Sequence, residues 1–252
     1  MAEKDNQPLL SVVVPSFNQL EGLKRTIESL GSCSDGSVEI IVSDGGSTDG
    51  SREWLLDSLD RIHKIRTSPD NGIYDGMNKG IEMASGKWVW FLGTGDTPTQ
   101  NGLKKIKAQL LISKDTCLTA FSVHLLPPRE PGVPEYYSPI WGSSLKWRNT
   151  LHHQGVFYPL EILKANKFDL RFKVLSDYHL HLKLWKNGVF CSCINEVVAE
   201  VDAGGVSRRF NKELYSEERA IKRDVLGGVN GIIQAFTTRG KHLYKVLWSL
   251  WS

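Results

Sequence analysis

Residues 9–44 read "LLSVVVPSFNQLEGLKRTIESLGSCSDGSVEIIVSD", and this stretch decides the fold. A β-branched run closes with Pro15, Ser16 and Asn18, which is typical of a buried strand that ends in a loop. A helix is predicted next, because four apolar residues follow at helical spacing: Leu20, Leu23, Ile27 and Leu30. The second run, "VEIIVSD", adds another strand, so the stretch forms a strand–helix–strand unit with a right-handed crossover.

The alternation of strand and helix continues to residue 96. "SREWLLDSL" and "IYDGMNKGIEMA" have helical spacing, whereas "IHKIRTS" and "KWVWFLG" have the composition of strands. We therefore predict an α/β fold with a Rossmann-like, mostly parallel sheet and helices on both faces. Ligands of such sheets bind beyond the carboxyl ends of the strands. Polar residues stand at those ends: Ser16, Phe17 with Asn18, Asp44, Ser68 with Asp70, and Asp96.

The pattern changes after Asp96. "LKKIKAQLLIS" predicts a surface helix and "CLTAFSVHL" a strand, while "LPPREPGVPEYYSP" holds five of the ten prolines and predicts an irregular loop or a spread hairpin. Farther on we predict a strand in "LHHQGVFYP", a helix that begins near Ser176, and a closing strand pair in "FCSCINEVVAEVDAGG".

Composition bounds the class of protein. The 252 residues are 40% hydrophobic and 23% charged, as in ordinary globular domains. Residues 203–252 hold nine Lys and Arg against four Asp and Glu, a local charge of +5 that leaves −2 on the rest. This distribution disfavours nucleic acid as a partner and favours a local anionic contact.

The compartment is predicted from the cysteines and the apolar runs. The four cysteines show no disulfide framework, and neither a secretory signal nor a run of about 20 apolar residues is present. We expect a cytoplasmic protein, either free or peripheral on the inner face of the cytoplasmic membrane.

Asp44 has two interpretations by itself. A strand-end carboxylate can accept hydrogen bonds from a nucleobase, and the following Gly45 and Gly46 let the backbone approach a ligand. Alternatively, Asp44 and Ser47 only cap the turn and the next helix.

Four stretches together carry a resemblance. "SVVVPSFNQ", "EIIVSDGGSTDGS", "DNGIYDGMNKGIEMASGKWVWFLGTGD" and "LSDYHLHLKLW" occur in the order and spacing of the family 2 glycosyltransferases, which the sequence resembles over roughly residues 10–208. "GIYDGMNKG" and "FLGTGD" are most similar to the branch that builds bacterial exopolysaccharide, capsule and colanic-acid-like repeats. The resemblance implies a GT-A fold with a nucleotide-sugar-binding half over residues 1–100, a continuous acceptor-binding and catalytic half over 101–210, and a basic helical tail over 211–252.

The resemblance also implies roles for individual residues. Phe17 matches the aromatic position that stacks on the base, Asp44 the carboxylate at the base edge, Asp96 the last residue of the metal-binding motif, and Asp177 the catalytic base. The predicted donor site comprises Pro15, Phe17, Asp44, Asp75 and Arg208, and it uses Mg²⁺ or Mn²⁺.

Four of the residues considered have an alternative interpretation without a role in the site. Asp75 and Lys79 lie on a helix whose N-terminal N–H groups can meet a diphosphate, or they are a helix-terminus acid and a solvated charge. His153 is a candidate metal ligand or a hinge histidine, and Arg208 a diphosphate-closing residue or part of a solvated basic loop.

"FLGTGD" presents one acidic residue where family members often have two. Gly95 stands beside Asp96, and Mg²⁺ is typically held by one or two carboxylates with phosphates and waters. We therefore expect Asp96 to suffice, with Gly95 leaving room for diphosphate or water.

Two further helical segments are predicted, one in "SDYHLHLKLW" and one at residues 241–252. His179 and His181 are two apart on a helix, so they point to different faces and do not share a metal. Residues 241–252 have an apolar side opposite lysines and serines, which predicts an interfacial helix on anionic lipid or a helix packed on protein.

The sequence thus predicts an inverting, metal-dependent glycosyltransferase. Its donor is a UDP-, GDP- or dTDP-sugar, and its acceptor is a lipid-linked or growing bacterial polysaccharide. An inactive relative that binds nucleotide or glycan is the alternative. A dinucleotide oxidoreductase is excluded because no GxGxxG follows the first strand.

Overall fold

The computed structural model describes residues 7–31, 36–129, 132–203 and 212–228. Its first half contains strands β1 (Leu10–Ser16), β2 (Val38–Asp44), β3 (Lys64–Thr67) and β4 (Trp88–Phe91). These strands pair in parallel in the order β3-β2-β1-β4. Three helices connect them: α1 (Leu20–Leu30), α2 (Ser51–Leu56) and α3 (Ile73–Met83). The alternation predicted from the sequence is confirmed.

The sheet continues into the second half without a break. Strands β5 (Thr97–Pro98), β6 (Leu118–Leu125), β7 (Tyr136–Tyr137), β8 (Val156–Pro159) and β9 (Cys191–Val201) extend the order to β4-β8-β6-β9-β5, with β7 on β6. Here β8 is antiparallel to both β4 and β6, whereas β9 is parallel to β6, so the sheet is mixed but mostly parallel, as predicted. The remaining helices are α4 (Gly102–Ile112), α5 (Leu160–Ala165), α6 (Ser176–Lys186) and α7 (Lys212–Leu226).

Two details of the second half refine the prediction. The proline-rich stretch includes β7, which pairs antiparallel with β6, so the spread hairpin is confirmed. The closing strand pair is wrong, because "FCSCINEVVAEV" contains a single eleven-residue strand, β9. The polar middle of β9 lies where its register against β6 shifts, around Ser122, as in a β-bulge, and the strand continues without a turn.

Helices cover both faces of the sheet. Alternate residues of β1 point to opposite sides, with Val12 packing in the cluster that includes α1 and α4, and Val13 in the cluster that includes α3, α5 and α6. Helix α3 lies very close to the sheet: a Cβ at Gly80 would stand 2.2 Å from Cγ1 of Val13. Glycine at this position therefore allows the helix to approach the strand.

Helix α7 packs on the second half beside α6. The carboxylate of Glu217 accepts hydrogen bonds from the backbone N–H groups of Lys173, Val174 and Leu175, just before α6 begins. No side chain within the first turn of α6 caps it, so a residue from α7 supplies acceptors for the incoming backbone. The predicted interfacial segment 241–252 lies outside the described residues. In the described part of the chain, no helix has the length and apolarity needed to cross a membrane.

Candidate active site

Hydrogen bonds of the backbone and of side chains join the ends of β1 and β2. Ser16 and Asp44 are register partners, and the N–H of Gly45 donates to the carbonyl of Ser16 at 2.8 Å. Asn18 has a φ of +49° and donates its N–H to the hydroxyl of Ser47 at 2.7 Å. The turn after β1 is thereby fixed, and it presents Phe17 with 60% of its surface exposed. Pro15 is buried within β1.

Asp44 is fully buried and hydrogen-bonded. Its Oδ2 accepts from the N–H groups of Gly46 at 3.1 Å and Ser47 at 3.0 Å, while the Ser47 hydroxyl donates to Oδ1. The interpretation of Asp44 and Ser47 as caps is therefore confirmed for the turn but not for the helix, since Asp49 accepts from the N–H and hydroxyl of Ser51 at the start of α2. Contact between Asp44 and a nucleobase stays a prediction.

Asp75 and Lys79 form an ion pair on α3. Nζ of Lys79 lies 2.9 Å from Oδ2 of Asp75, and the N–H of Asn71 donates to the same oxygen at 2.9 Å. The hydrogen bond from Lys79 lowers the pKa of Asp75 against the effect of burial. These contacts define a structural role, so a role in donor binding stays a prediction for Asp75.

Asp96 lies beyond the end of β4 and is only 4% exposed. Its Oδ2 accepts from the N–H of Gly93 at 3.1 Å and from Nε2 of Gln154 at 2.8 Å, while Oδ1 accepts from the N–H of Asp202 at 2.8 Å. Burial raises the pKa of Asp96 to about 6, and the three hydrogen bonds oppose the rise. The carboxylate is therefore ionised above about pH 6.

The space beside Gly95 is filled. Gly95 has a φ of +95°, and a Cβ there would stand 2.8 Å from Oδ2 of Asp202 and 2.9 Å from Nη2 of Arg25. Asp202 and Arg25 are themselves paired at 2.6 Å. The expectation that Gly95 leaves room for diphosphate or water is therefore wrong: its missing side chain makes room for Asp202, just after β9, and for Arg25 of α1. Asp202 thus brings a second carboxylate next to the "TGD" turn.

The donors at this turn fit a divalent cation that brings ligands of its own. Carboxylate oxygens are the ligands that Mg²⁺ and Mn²⁺ prefer, and Asp96 sits in a cradle that a side chain at Gly93 would fill, since a Cβ there would lie 2.6 Å from Oδ2. The part of the chain that the structure describes contains no group of three or more His, Cys, Asp or Glu side chains suited to a metal. A cation here would therefore depend on donor phosphates and water.

Asp177 is in the first turn of α6 and is 7% exposed. The Tyr74 hydroxyl lies 2.9 Å from Oδ1 and Nδ2 of Asn149 lies 3.0 Å from Oδ2. Nδ1 of His153 is 3.8 Å from the same Oδ2. Burial, reinforced by the Asp177 charge, raises the pKa of Tyr74 well above its ordinary value, so Tyr74 stays a hydrogen-bond donor.

One short turn connects Asp96, the predicted metal ligand, with Asp177, the predicted catalytic base. In the 3₁₀ turn His153–Gly155, the side chain of Gln154 binds Asp96, and that of its neighbour His153 lies beside Asp177. Burial lowers the pKa of His153, so the imidazole is neutral near pH 7. The role of His153 as a metal ligand stays a prediction. Arg208 lies outside the described residues.

The two histidines of "SDYHLHLKLW" have different partners, as predicted from their spacing. Nε2 of His179 lies 3.0 Å from Oδ2 of Asp224 on α7. His181 is fully buried, with Nε2 2.6 Å from the Tyr158 hydroxyl and Nδ1 3.2 Å from Oδ1 of Asn149.

His181 is expected to make folding sensitive to mild acid. Burial lowers the pKa of His181 to about 4 from an ordinary 6.5. Between these two values the histidine is protonated in the unfolded chain but neutral in the folded protein, so the free energy of unfolding falls as the pH falls. The free energy of unfolding is reduced by about 3 kcal/mol near pH 4, since each unit of pKa difference corresponds to 1.36 kcal/mol. We therefore expect the difference in Tm between wild type and His181→Gln to shrink as pH falls from 7 to 4.5.

Comparison with the variant is essential because Asp96 acts in the opposite direction. The raised pKa of Asp96 makes the folded protein hold a proton between about pH 6 and 3.8, which stabilises it as pH falls. Thermal melts of both proteins across this range cancel the Asp96 contribution. Melting curves whose separation is independent of pH would show that His181 titrates normally.

Comparisons with known proteins agree with this geometry. The profile of the family described as "Glycosyl transferase family 2" matches residues 11–124. The glycosyltransferase Rv1514c of Mycobacterium tuberculosis is 29% identical over 94% of this chain and 92% of its own. A putative teichuronic acid biosynthesis glycosyltransferase, TuaG of Bacillus subtilis, is 34% identical over 51% of each chain.

Solved structures extend the similarity to the fold. Residues 1–349 of S. aureus TarS in complex with UDP-GlcNAc superpose with a TM-score of 0.70 at 18% identity, covering 87% of this chain and 67% of that one. This chain covers 40% of the longer TarS chain. The mannosyltransferase PcManGT of Pyrobaculum calidifontis, in complex with GDP-Man and Mn²⁺, superposes at 0.57 with 17% identity over 92% of this chain and 65% of that one.

The fold is thus of the GT-A glycosyltransferase class, as the resemblance implied. The family profile and the curated relatives go further than the fold: residues 11–124 match glycosyltransferase family 2, and the chain is similar in sequence to curated glycosyltransferases over most of its length.

Proposed function

We propose that this chain is an inverting, metal-dependent transferase that moves a sugar from a nucleotide-sugar donor to a hydroxyl of a lipid-linked or growing bacterial polysaccharide. The observation that carries the proposal is the His153–Gly155 turn, which holds Asp96 through Gln154 and stands against Asp177 through His153. A carboxylate for a cation and a carboxylate for a proton are thereby brought to one end of the sheet.

The donor half supplies the binding surface. Phe17 is exposed at the end of β1 and can stack on a base, and the Asp44 loop lies next to it. The solved structures of similar fold hold UDP-GlcNAc in one case and GDP-Man with Mn²⁺ in the other, which supports a nucleotide-sugar donor. A divalent cation at Asp96 would neutralise charge on the departing diphosphate.

Asp177 is suited to the role of base. During transfer, the acceptor hydroxyl gives its proton to Asp177 as its oxygen bonds to the anomeric carbon, and the electrons of the broken C–O bond leave with the nucleoside diphosphate. Attack from the side opposite the leaving group inverts the anomeric centre. Retention by double displacement needs a carboxylate nucleophile, and the groups that pair with Asp177 among the described residues are Tyr74, Asn149 and His153.

The acceptor is proposed from the relatives. TuaG is named for teichuronic acid biosynthesis, which supports a bacterial polysaccharide, of the capsule or exopolysaccharide type, as the product. A lipid-linked acceptor would place the enzyme at the cytoplasmic face of the membrane.

Turnover of a donor panel tests the proposal. UDP-, GDP- and dTDP-sugars are incubated with the protein and Mn²⁺ or Mg²⁺, and release of nucleoside diphosphate is followed with water as the acceptor. We expect release from donors of one nucleotide class, abolished by EDTA. Nucleotide binding without release from any donor, and without metal dependence, would favour the inactive relative.

A further inference from the structure

Asp177 receives a hydrogen bond from a residue that the sequence patterns did not single out. Asn149 precedes β8 and is held at several points: its backbone carbonyl accepts from the Tyr137 hydroxyl, and its Oδ1 accepts from the N–H of Leu151 at 3.3 Å. Its side-chain amide then joins two residues of α6, Asp177 and His181. These lie four positions apart and therefore on one face of the helix.

The chemistry of the partners fixes how this amide faces. A carboxylate has no hydrogen to donate, so the group of Asn149 that lies 3.0 Å from Asp177 is the NH₂. Its oxygen then faces Nδ1 of His181 at 3.2 Å, so Nδ1 must carry a hydrogen. A reversed amide would set an oxygen against the carboxylate and leave both without a donor.

The second ring nitrogen of His181, Nε2, also has a hydrogen-bond partner. His181 is fully buried, and a neutral imidazole carries one N–H, so Nε2 is an acceptor. The Tyr158 hydroxyl, 2.6 Å from Nε2, therefore donates to it. Burial raises the pKa of Tyr158 well above its ordinary value, so this hydroxyl retains its proton.

We propose that Asn149 is a positioning residue for Asp177, and that the direction of its amide also determines the tautomer of His181, which the Tyr158 hydroxyl matches. Tyr74 binds Oδ1 from α3 and Asn149 binds Oδ2 from the loop before β8, so each oxygen of the carboxylate has its own donor and its rotation is restrained. Each oxygen retains a lone pair for the acceptor hydroxyl. This inference rests on the proposed function, in which Asp177 is the base.

Two substitutions separate positioning from packing. Asn149→Asp keeps the size of the side chain and its acceptor toward His181 but replaces the donor by a second carboxyl; a pair of carboxyls that shares one proton is a weak base. Asn149→Ala removes the donor and leaves space that water can enter. If the N–H donor matters, kcat falls further in Asn149→Asp than in Asn149→Ala. If only packing matters, the order reverses.

The kinetic experiment uses the full chain and UDP-N-acetylglucosamine, or the panel donor that is turned over fastest, with water as the acceptor. We expect kcat to fall at least about a hundredfold in Asn149→Asp and about tenfold in Asn149→Ala, with the donor KM within twofold of wild type. Asn78→Ala is the matched control: Asn78 is a buried amide whose hydrogen bonds among the described residues are to the backbone of Phe168, so its loss should lower Tm without changing kcat.

A spectroscopic measurement tests the direction of the amide without any turnover. The protein has seven histidines, and ¹⁵N spectra of labelled imidazoles, with His181→Gln for assignment, report the tautomer of His181. We expect the Nδ1–H tautomer in wild type, its retention in Tyr158→Phe, and a weaker preference in Asn149→Ala, which lacks the oxygen that faces Nδ1. An Nε2–H tautomer in wild type would overturn the proposed orientation.

The outcomes distinguish this inference from the proposed function. Full turnover in Asp177→Asn would remove the base and, with it, the function assigned to Asn149. An inactive Asp177→Asn together with wild-type kcat in both Asn149 variants would overturn the positioning role alone. Asn149→Ala less active than Asn149→Asp would assign Asn149 to packing.

Discussion

Asp177→Asn is expected to lower transfer by about a thousandfold or more while the donor still binds. Asparagine keeps the size of the side chain and can still meet Tyr74 and Asn149, but it has no basic oxygen to take the acceptor proton. Because Asp177 is proposed to act on the acceptor and not on the nucleotide, the affinity for the donor should change little.

Steady-state turnover and calorimetric titration of the donor, on the same preparation, measure both parts of this expectation. Asp169→Asn is the matched control, since Asp169 also lies near the start of α6 but pairs with Arg171 at the surface. Wild-type turnover in Asp177→Asn would exclude Asp177 as the base. Parallel loss of donor affinity would move Asp177 to the donor site.

Asp96→Asn is expected to abolish the effect of Mn²⁺ on donor affinity and to lower turnover at least about a hundredfold. The carboxylate accepts hydrogen bonds from Gly93, Gln154 and Asp202. In the asparagine variant an NH₂ group replaces one of the two oxygens, so a donor faces one or more of these N–H groups. The variant therefore loses both the charge that a cation requires and part of the hydrogen bonding that holds the turn.

Calorimetry of a nucleoside diphosphate with and without Mn²⁺ measures the loss in Asp96→Asn. In wild type we expect weak Mn²⁺ binding alone and tighter binding with the nucleotide, because the protein supplies few ligands. Asp202→Asn is the matched control: it retains the backbone N–H that binds Asp96 and should be affected less. Equal losses in both variants would show that the cation is shared by the two carboxylates, and an unchanged Mn²⁺ effect in Asp96→Asn would show that Asp96 is not a ligand.

Much of the fold could be predicted from local patterns. The strand–helix alternation up to Asp96 and the helix that begins at Ser176 follow from the spacing of apolar residues, which burial on one face imposes. The second half was less predictable because its pairing is set by distant segments. Strand β9 continues through a polar stretch with extra residues opposite Ser122 of β6, and no local pattern predicts this.

The candidate site divides in the same way. Asp44, Asp96 and Asp177 stand at element ends, where position in the chain predicts them. Their partners come from far away in the sequence: Gln154 is 58 positions from Asp96, and Asp202 is 106 positions from it. Only the folded sheet shows that Asp202 and Arg25 occupy the space beside Gly95.

Tyr74 and Asn149 illustrate why site residues without charge escape prediction. Tyr74 reads as an aromatic residue in the first turn of α3, and Asn149 as one polar residue of a loop. Their importance follows from a contact with Asp177 that spans 103 and 28 positions, respectively. A loop amide flanked by the "HHQ" histidines was the available signal, since polar loop residues are disproportionately functional.

The anomeric configuration of the released sugar shows whether transfer proceeds by direct displacement with Asp177 as the base. Proton NMR of the first turnovers on an α-linked nucleotide sugar, faster than the released sugar mutarotates, reports the anomeric proton of the product. We expect a β product from wild type and none from Asp177→Asn over the same time. An α product from wild type would contradict direct displacement and require a covalent or dissociated intermediate.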